Sequence, residues 1–221
     1  MHKFKRNYFY VSFFILAVVS SILLTVRVIS EDMPVIDLWA SPLVANLDNT
    51  TIFSGFRWIT ELGSGTFITP FTILFSLFLW RFSKDWIASF MVVLGTFLGY
   101  RVNHWIKVLI ERERPRIMEE AEGIGYSFPS GHAMGAMIAY GLYVYFLTQN
   151  TKSKRLKVWI NIIGVLLIIL IGFSRYVIRV HYISDVLAGY MFGFIFLMIW
   201  IGLYHLIVRM KKRFFYYKSQ T

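Results

Sequence analysis

Long uncharged runs alternate with short charged stretches along this chain. Residues 7–26 and 62–80 carry no charge, and neither do 86–100, where a helical pattern continues through Arg101, His104 and Lys107 to Ile110. A fourth run, 123–151, has an expected helical part from near Gly131 to near Thr148, and 158–174 and 186–208 complete the set. A helix needs about 20 mostly apolar residues to cross a bilayer. The pattern therefore predicts an all-α integral membrane protein with six transmembrane helices. The connections are too short for a separate soluble domain, so residues 1–221 read as one six-span domain. The first run follows Lys3, Lys5 and Arg6 and is longer than the usual signal-peptide core of about 7–15 residues, with no small-residue cleavage site directly after it. A retained anchor is expected.

Composition agrees. Hydrophobic residues make up 57% and charged residues 16% of the 221 positions, whereas a soluble domain carries about 25% charge. This excludes a soluble globular enzyme, a disordered tail and a fibrous protein. The net charge of +11 comes from basic residues at the ends of apolar runs, which suits anionic lipid better than nucleic acid. With no cysteine, disulfides, thiolate metal sites and thiol nucleophiles are out.

Lys and Arg gather on cytoplasmic loops. Placing the N-terminus inside puts Lys3, Lys5, Arg6, Arg81, Lys84, Lys152, Lys154, Arg155, Lys157 and the basic tail from Arg209 to Lys218 inside as well, while every acid except Asp85 falls at or beyond the opposite face. Both termini are then cytoplasmic. Within the outer segment 30–61, Ile52, Phe53, Phe56 and Ile59 share one helical face, as in an interfacial helix or an extension of the second span. Gly95 with Gly99, and Gly189 with Gly193, are spaced for close helix packing. No internal repeat is present.

Ionisable groups within or beside spans are costly and usually functional. Three stretches carry them, and the topology puts all three at the outer face. In KVLIERERP, Lys107 ends a helix and Arg114-Pro115 follows, with proline stopping the helix. In PSGH, Ser130 is a candidate N-cap, and the free N–H groups of a helix start suit an anion. Gly131 would allow a phosphate oxygen close to the backbone, and His132 could donate a proton. In SRYVIRVHYISD, Arg175 precedes His181 and Asp185, four apart and on one face of a helix if helical.

Together the three stretches resemble the signature of the type 2 phosphatidic acid phosphatase superfamily: Lys, six residues, Arg-Pro; then Pro-Ser-Gly-His; then Ser-Arg, five residues, His, three residues, Asp. The match spans 107–185, and the six expected spans are similar to the membrane lipid phosphate phosphatase branch. The resemblance implies His181 as nucleophile, giving a phosphohistidine, with Asp185 orienting it. It implies His132 as the proton donor to the leaving oxygen, and Lys107, Arg114, Arg175, Ser130 and the Gly131 amide as ligands of the non-bridging oxygens. It implies no metal and no cofactor. The loop acids Glu111, Glu113, Glu119, Glu120 and Glu122 read as solvated charge.

The expected substrate is a lipid phosphomonoester or diphosphate, namely phosphatidylglycerophosphate, phosphatidate or undecaprenyl diphosphate. The lipid tail would enter sideways between helices, at a site on the extracytoplasmic side of the cell membrane. No nucleic acid and no obligate protein partner is implied. A lipid-to-lipid phosphotransferase would use the same residues, and a lipid transporter is the non-enzymatic alternative. Arg101 and His104, about two turns and one turn before Lys107, could line the bundle interior or a substrate groove, and Arg116 and Arg179 could touch a second phosphate or a headgroup.

Overall fold

The computed structural model describes residues 2–30 and 33–218, with the backbone alone for 2–7, 9–10 and 214–218. The side chains of Lys3, Lys5, Arg6 and Lys218, part of the charge asymmetry above, lie outside that set. Eight α-helices follow in order: α1 (His2–Ile29), α2 (Val35–Val44), α3 (Thr51–Glu61), α4 (Gly65–Ser83), α5 (Trp86–Ile110), α6 (Gly131–Asn150), α7 (Lys154–Val177) and α8 (Ile183–Lys218). A single 3-10 turn, Glu119–Ala121, interrupts the loop between α5 and α6, and no strand occurs among the described residues.

Short polar side chains start these helices where the sequence supplies them. Thr50, Ser64, Asp85, Ser130 and Ser153 each accept a hydrogen bond from the backbone N–H three residues on. That satisfies one of the orphan donors of each first turn. Lys84 and Glu111 end α4 and α5 in the left-handed conformation.

Val11–Ile29, Gly65–Ser83, Lys154–Val177 and Ile183–Arg213 are long and apolar enough to cross a membrane. Helices α5 and α6, with 25 and 20 residues, have the length as well, though α5 carries Arg101 and Lys107 and α6 carries His132. Helix α6 is an inner helix. It packs against α5, α7 and α8, and Ala133, Met134, Ala136, Ile138, Ala139 and Leu142 are fully buried. A helix surrounded by helices needs shape more than hydropathy. Close approach is built by small residues: a Cβ on Gly189 would lie 2.7 Å from the Ser130 carbonyl oxygen and 2.9 Å from the Ala133 Cβ, and one on Gly193 2.8 Å from the Met137 Cβ. Gly99 likewise abuts Ile138.

The segment after α1 forms two helices. Helix α3 packs on α7, with Phe56 edge-on to Phe173 at 5.7 Å. It does not extend α4, because the chain breaks helix over Leu62 and Gly63 before Ser64 caps α4. Helix α2 was not foreseen. It turns Trp39 (79% exposed), Leu43, Val35 and Leu38 outward, while Asp37 is buried against α8.

Candidate active site

The three motif stretches meet where α5 ends, α6 begins and α7 turns into α8. Helix α6 starts at Gly131 with Ser130 as N-cap, as the sequence suggested, and the Ser130 N–H donates to the Asp185 carbonyl at 2.9 Å. The Phe128-Pro129 peptide is cis. A Cβ on Gly131 would come 3.1 Å from Asn103 Oδ1, so the glycine lets α6 sit against α5 just above Lys107. His132 is buried, with Nε2 3.8 Å from a Glu122 carboxylate oxygen.

His181 is not on a helix. It lies in the turn before α8, and its N–H and that of Val180 both donate to the Arg175 carbonyl, at 3.2 and 3.1 Å. Its Nε2 is 2.9 Å from Arg114 Nη1. A guanidinium can only donate, so Nε2 accepts and the ring proton sits on Nδ1. That nitrogen is 3.4 Å from Asp185 Oδ2 and 3.2 Å from Ser127 Oγ, and the Ser127 hydroxyl itself donates to Asp185 Oδ2 at 2.5 Å. Asp185 therefore reaches His181 both directly and through Ser127. Burial holds the His181 imidazole well below its usual pKa, and the positive Arg114, Lys107 and Arg175 push the same way. The ring is thus neutral, with an unprotonated nitrogen directed at the cations.

Three cations frame this nitrogen. Lys107 Nζ donates to the carbonyls of Tyr126 and Ser127. Arg114 donates to the carbonyls of Ile124, Gly125, Tyr126 and Val180, and burial lowers it to about 10. Arg175 is fully buried. Its Nη1 is held by Thr60 Oγ1 at 2.9 Å and the Ala121 carbonyl at 2.6 Å, while Nε and Nη2 find no partner among the described residues. Buried donors left unpaired cost about 1–3 kcal/mol or more when charged, so their place is beside an anion. The fields of Arg175, His181, Arg114 and Lys107 also reach the His132 imidazole. An open cleft of about 390 Å³, lined by Pro42, Val44, Tyr176, Arg179 and Tyr182 among others, leads to His181.

Other sequence candidates fall elsewhere. Arg101 and His104 are exposed on the outward face of α5 and line neither the interior nor the cleft. Arg116 and Arg179 both pair with Asp48, at 2.8 and 3.2 Å. Of the loop acids, Glu122 is not simply solvated, since it also accepts from the Gly65 N–H at 3.4 Å beside His132. Sequence reasoning missed Ser127, Arg112 and Asp37, all tied to Asp185 directly or through one another. The one available signal was an acid, Asp37, inside the otherwise apolar VIDLWASPLV.

Comparison with known proteins bears on this geometry. The chain is 35% identical to phosphatidylglycerophosphatase B of Bacillus subtilis over 138 residues, 61% of this chain and 66% of that protein. It is 32% identical to an undecaprenyl-diphosphatase of Sulfolobus acidocaldarius over 79 residues, 36% of this chain and 34% of the other. These matches span less than two thirds of the relatives' lengths. The crystal structure of a transmembrane PAP2 type phosphatidylglycerolphosphate phosphatase from Bacillus subtilis superposes with a TM-score of 0.75 at 25% identity, covering 90% of this chain and 96% of that one. Residues 86–209, which hold all three motifs and every cation of the pocket, match the PAP2 superfamily, and the chain belongs to that family.

Proposed function

We propose that this protein is a membrane lipid phosphatase that cleaves a phosphomonoester or diphosphate through a phosphohistidine at His181. The observation that carries the reading is the pairing of an unprotonated His181 Nε2 with a buried Arg175 that has two unpartnered donors. A phosphoryl group between them would meet a nucleophile on one side and cations around its equatorial oxygens, which is most of what phosphoryl transfer requires.

In the first step the Nε2–phosphorus bond forms and the bond to the lipid oxygen breaks. His132 gives its proton to the leaving oxygen while Arg114 moves its donors from Nε2 to the phosphoryl oxygens. In the second step a water oxygen attacks phosphorus, His132 takes its proton, and His181 leaves as neutral imidazole. Asp185 and Ser127 hold the Nδ1 proton and stabilise charge on the ring. Lys107, Ser130 and the Gly131 amide complete the cradle. Cations do the work of charge neutralisation, so the reaction is proposed to need no metal.

The same reading gives six spans, α1 and α4–α8, both termini in the cytoplasm, and a site at the extracytoplasmic surface of the cell membrane. The charge asymmetry and the exposed apolar surfaces of α1, α4, α5, α7 and α8 support it. The relatives' names support phosphatidylglycerophosphate and undecaprenyl diphosphate as candidate substrates; the reading takes phosphatidylglycerophosphate first, with related lipids tolerated.

The test is phosphate release from phosphatidylglycerophosphate, phosphatidate and undecaprenyl diphosphate at matched surface concentration in detergent, with a strong chelator. Turnover is expected to persist, with an acid-labile, base-stable phosphoenzyme in wild type and none in His181→Ala. Base-labile label or complete loss on chelation overturns the mechanism. Label appearing in an added acceptor lipid faster than free phosphate would make the enzyme a phosphotransferase.

A further inference from the structure

We propose that Asp37 and Arg112, neither of them a residue that the three motifs specify, form a positioning pair that fixes the Asp185 carboxylate against His181. The proposal rests on the phosphohistidine reading and adds to it residues from a helix and a loop position that the motifs do not specify.

Asp185 is engaged on both edges. On one edge, Oδ2 accepts from Ser127 Oγ, from the Tyr182 N–H at 2.9 Å and from His181 Nδ1. On the other, Oδ1 meets Arg112 Nη1 at 2.5 Å. The same Nη1 donates to Ser184 Oγ at 2.7 Å, and Nη2 donates to Asp37 Oδ2 at 2.7 Å. Asp37 in turn accepts the Ser184 N–H at 2.9 Å and the Ser184 hydroxyl. The guanidinium lies over the Tyr182 ring, 4.2 Å from its centroid. The side chains of Asp37 and Asp185 are fully shielded and that of Arg112 is 11% exposed.

A carboxylate held at one edge swings about its last side-chain torsion, which is broad. Arg112 stops that swing by holding the far edge, and its planar fork spans two carboxylates at once, which a lysine ammonium cannot match. Asp37 orients the fork and balances its charge. Two buried carboxylates around one guanidinium leave Asp185 partly neutralised, which sets how strongly it pulls on the Nδ1 proton. His181 otherwise faces Lys107 from α5, Arg114 from the loop, Arg175 from α7 and Asp185 from α8.

A simple staple would use the same contacts to pin α2 to α8, so the readouts must separate stapling from positioning. The experiment compares wild type, Asp37→Asn, Arg112→Lys, Arg112→Gln and the double variant Asp37→Asn/Arg112→Gln, each purified in detergent and normalised to folded, monodisperse protein. Outer-shell partners of catalytic groups typically contribute about 10–100-fold. Arg112→Gln is expected to lower kcat by about that factor with KM nearly unchanged, and Arg112→Lys to fall between it and wild type. The double variant should fall no further than Arg112→Gln, as members of one unit do. The acid limb of kcat/KM should move to higher pH in Arg112→Gln, because uncompensated Asp185 then favours a charged imidazole. The rate of phosphoenzyme formation should fall in step with kcat.

The proposal is overturned if folded variants keep kcat within about threefold with the acid limb in place, or if losses track only the folded fraction. A wild type that labels while Arg112→Gln labels as fast removes the pair alone. A wild type that forms no phosphohistidine removes the mechanism and the pair's role with it.

Discussion

Arg114 Nη1 rests 2.9 Å from His181 Nε2, so the guanidinium holds that nitrogen in place and keeps it free of a proton. In the proposed mechanism the same donors turn to the equatorial oxygens of the phosphoryl group, where charge builds in the transition state. Arg114→Ala is expected to lower kcat by about 10²–10³-fold, the usual loss for one transition-state donor. Steady-state kinetics in mixed micelles checks it, and an effect confined to KM would contradict the role.

The pH profile follows from the same contact. As the proposed nucleophile His181 must be neutral, and burial plus the surrounding cations keep it neutral well below its usual value. The acid limb of kcat/KM should therefore lie below about 6.5, the ordinary imidazole pKa. Stability follows His181 as well. Its folded pKa is depressed, so its contribution is complete above about 6.5 and is lost as pH falls through the folded value. Melting curves of wild type and His181→Gln across pH 4–8 (a window of about two units either side of that value) should diverge at the acid end.

Arg175 offers Nε and Nη2 to an anion and to nothing else among the described residues. Orthovanadate or phosphate should raise the melting temperature of the wild type, since a ligand at about 100 times its Kd adds about 2.7 kcal/mol. Arg175→Met should abolish that shift, and an unchanged shift would place the anion elsewhere.

His132→Ala should slow departure of the lipid oxygen by about 10²–10⁴-fold. The loss should shrink for a substrate with a good leaving group, such as a nitrophenyl phosphate ester. An equal loss for both substrates would deny His132 the proton transfer.

Gly189→Ala tests how far the site depends on the packing of α8 on α6. The added Cβ would press on the Ser130 carbonyl and on Ala133, both part of a helix start rather than a flexible tip. Overpacking of this kind costs about 1–3 kcal/mol. Activity should fall more than stability, because the displaced backbone carries Ser130 on one side and Asp185 on the other. Thermal melts and kcat measured on the same samples provide the comparison.

The motif residues were legible because each motif is local: fixed spacings place Lys107 with Arg114, Ser130 with His132, and Arg175 with His181 and Asp185 on helix ends that topology then gathers. The start of α6 was legible for the same reason, since Ser130 caps it within three residues of itself. Asp37 touches Ser184 across 147 positions, and no periodicity encodes such a contact. Arg112 sits among the unspecified positions of the first motif, where its neighbours Glu111 and Glu113 make it look like one more solvated charge. Hydropathy also reads α5 and α6 imperfectly, because it measures suitability for lipid, whereas α6 faces mostly other helices.

The Arg175 carbonyl accepts the backbone N–H groups of both Val180 and His181. In the proposed mechanism the claw that grips the phosphoryl oxygens and the lone pair that strikes phosphorus are thus mounted on one closed turn. His132 stands on α6, so its distance from that turn is set by how α6 packs on α7 and α8 and not by the turn itself.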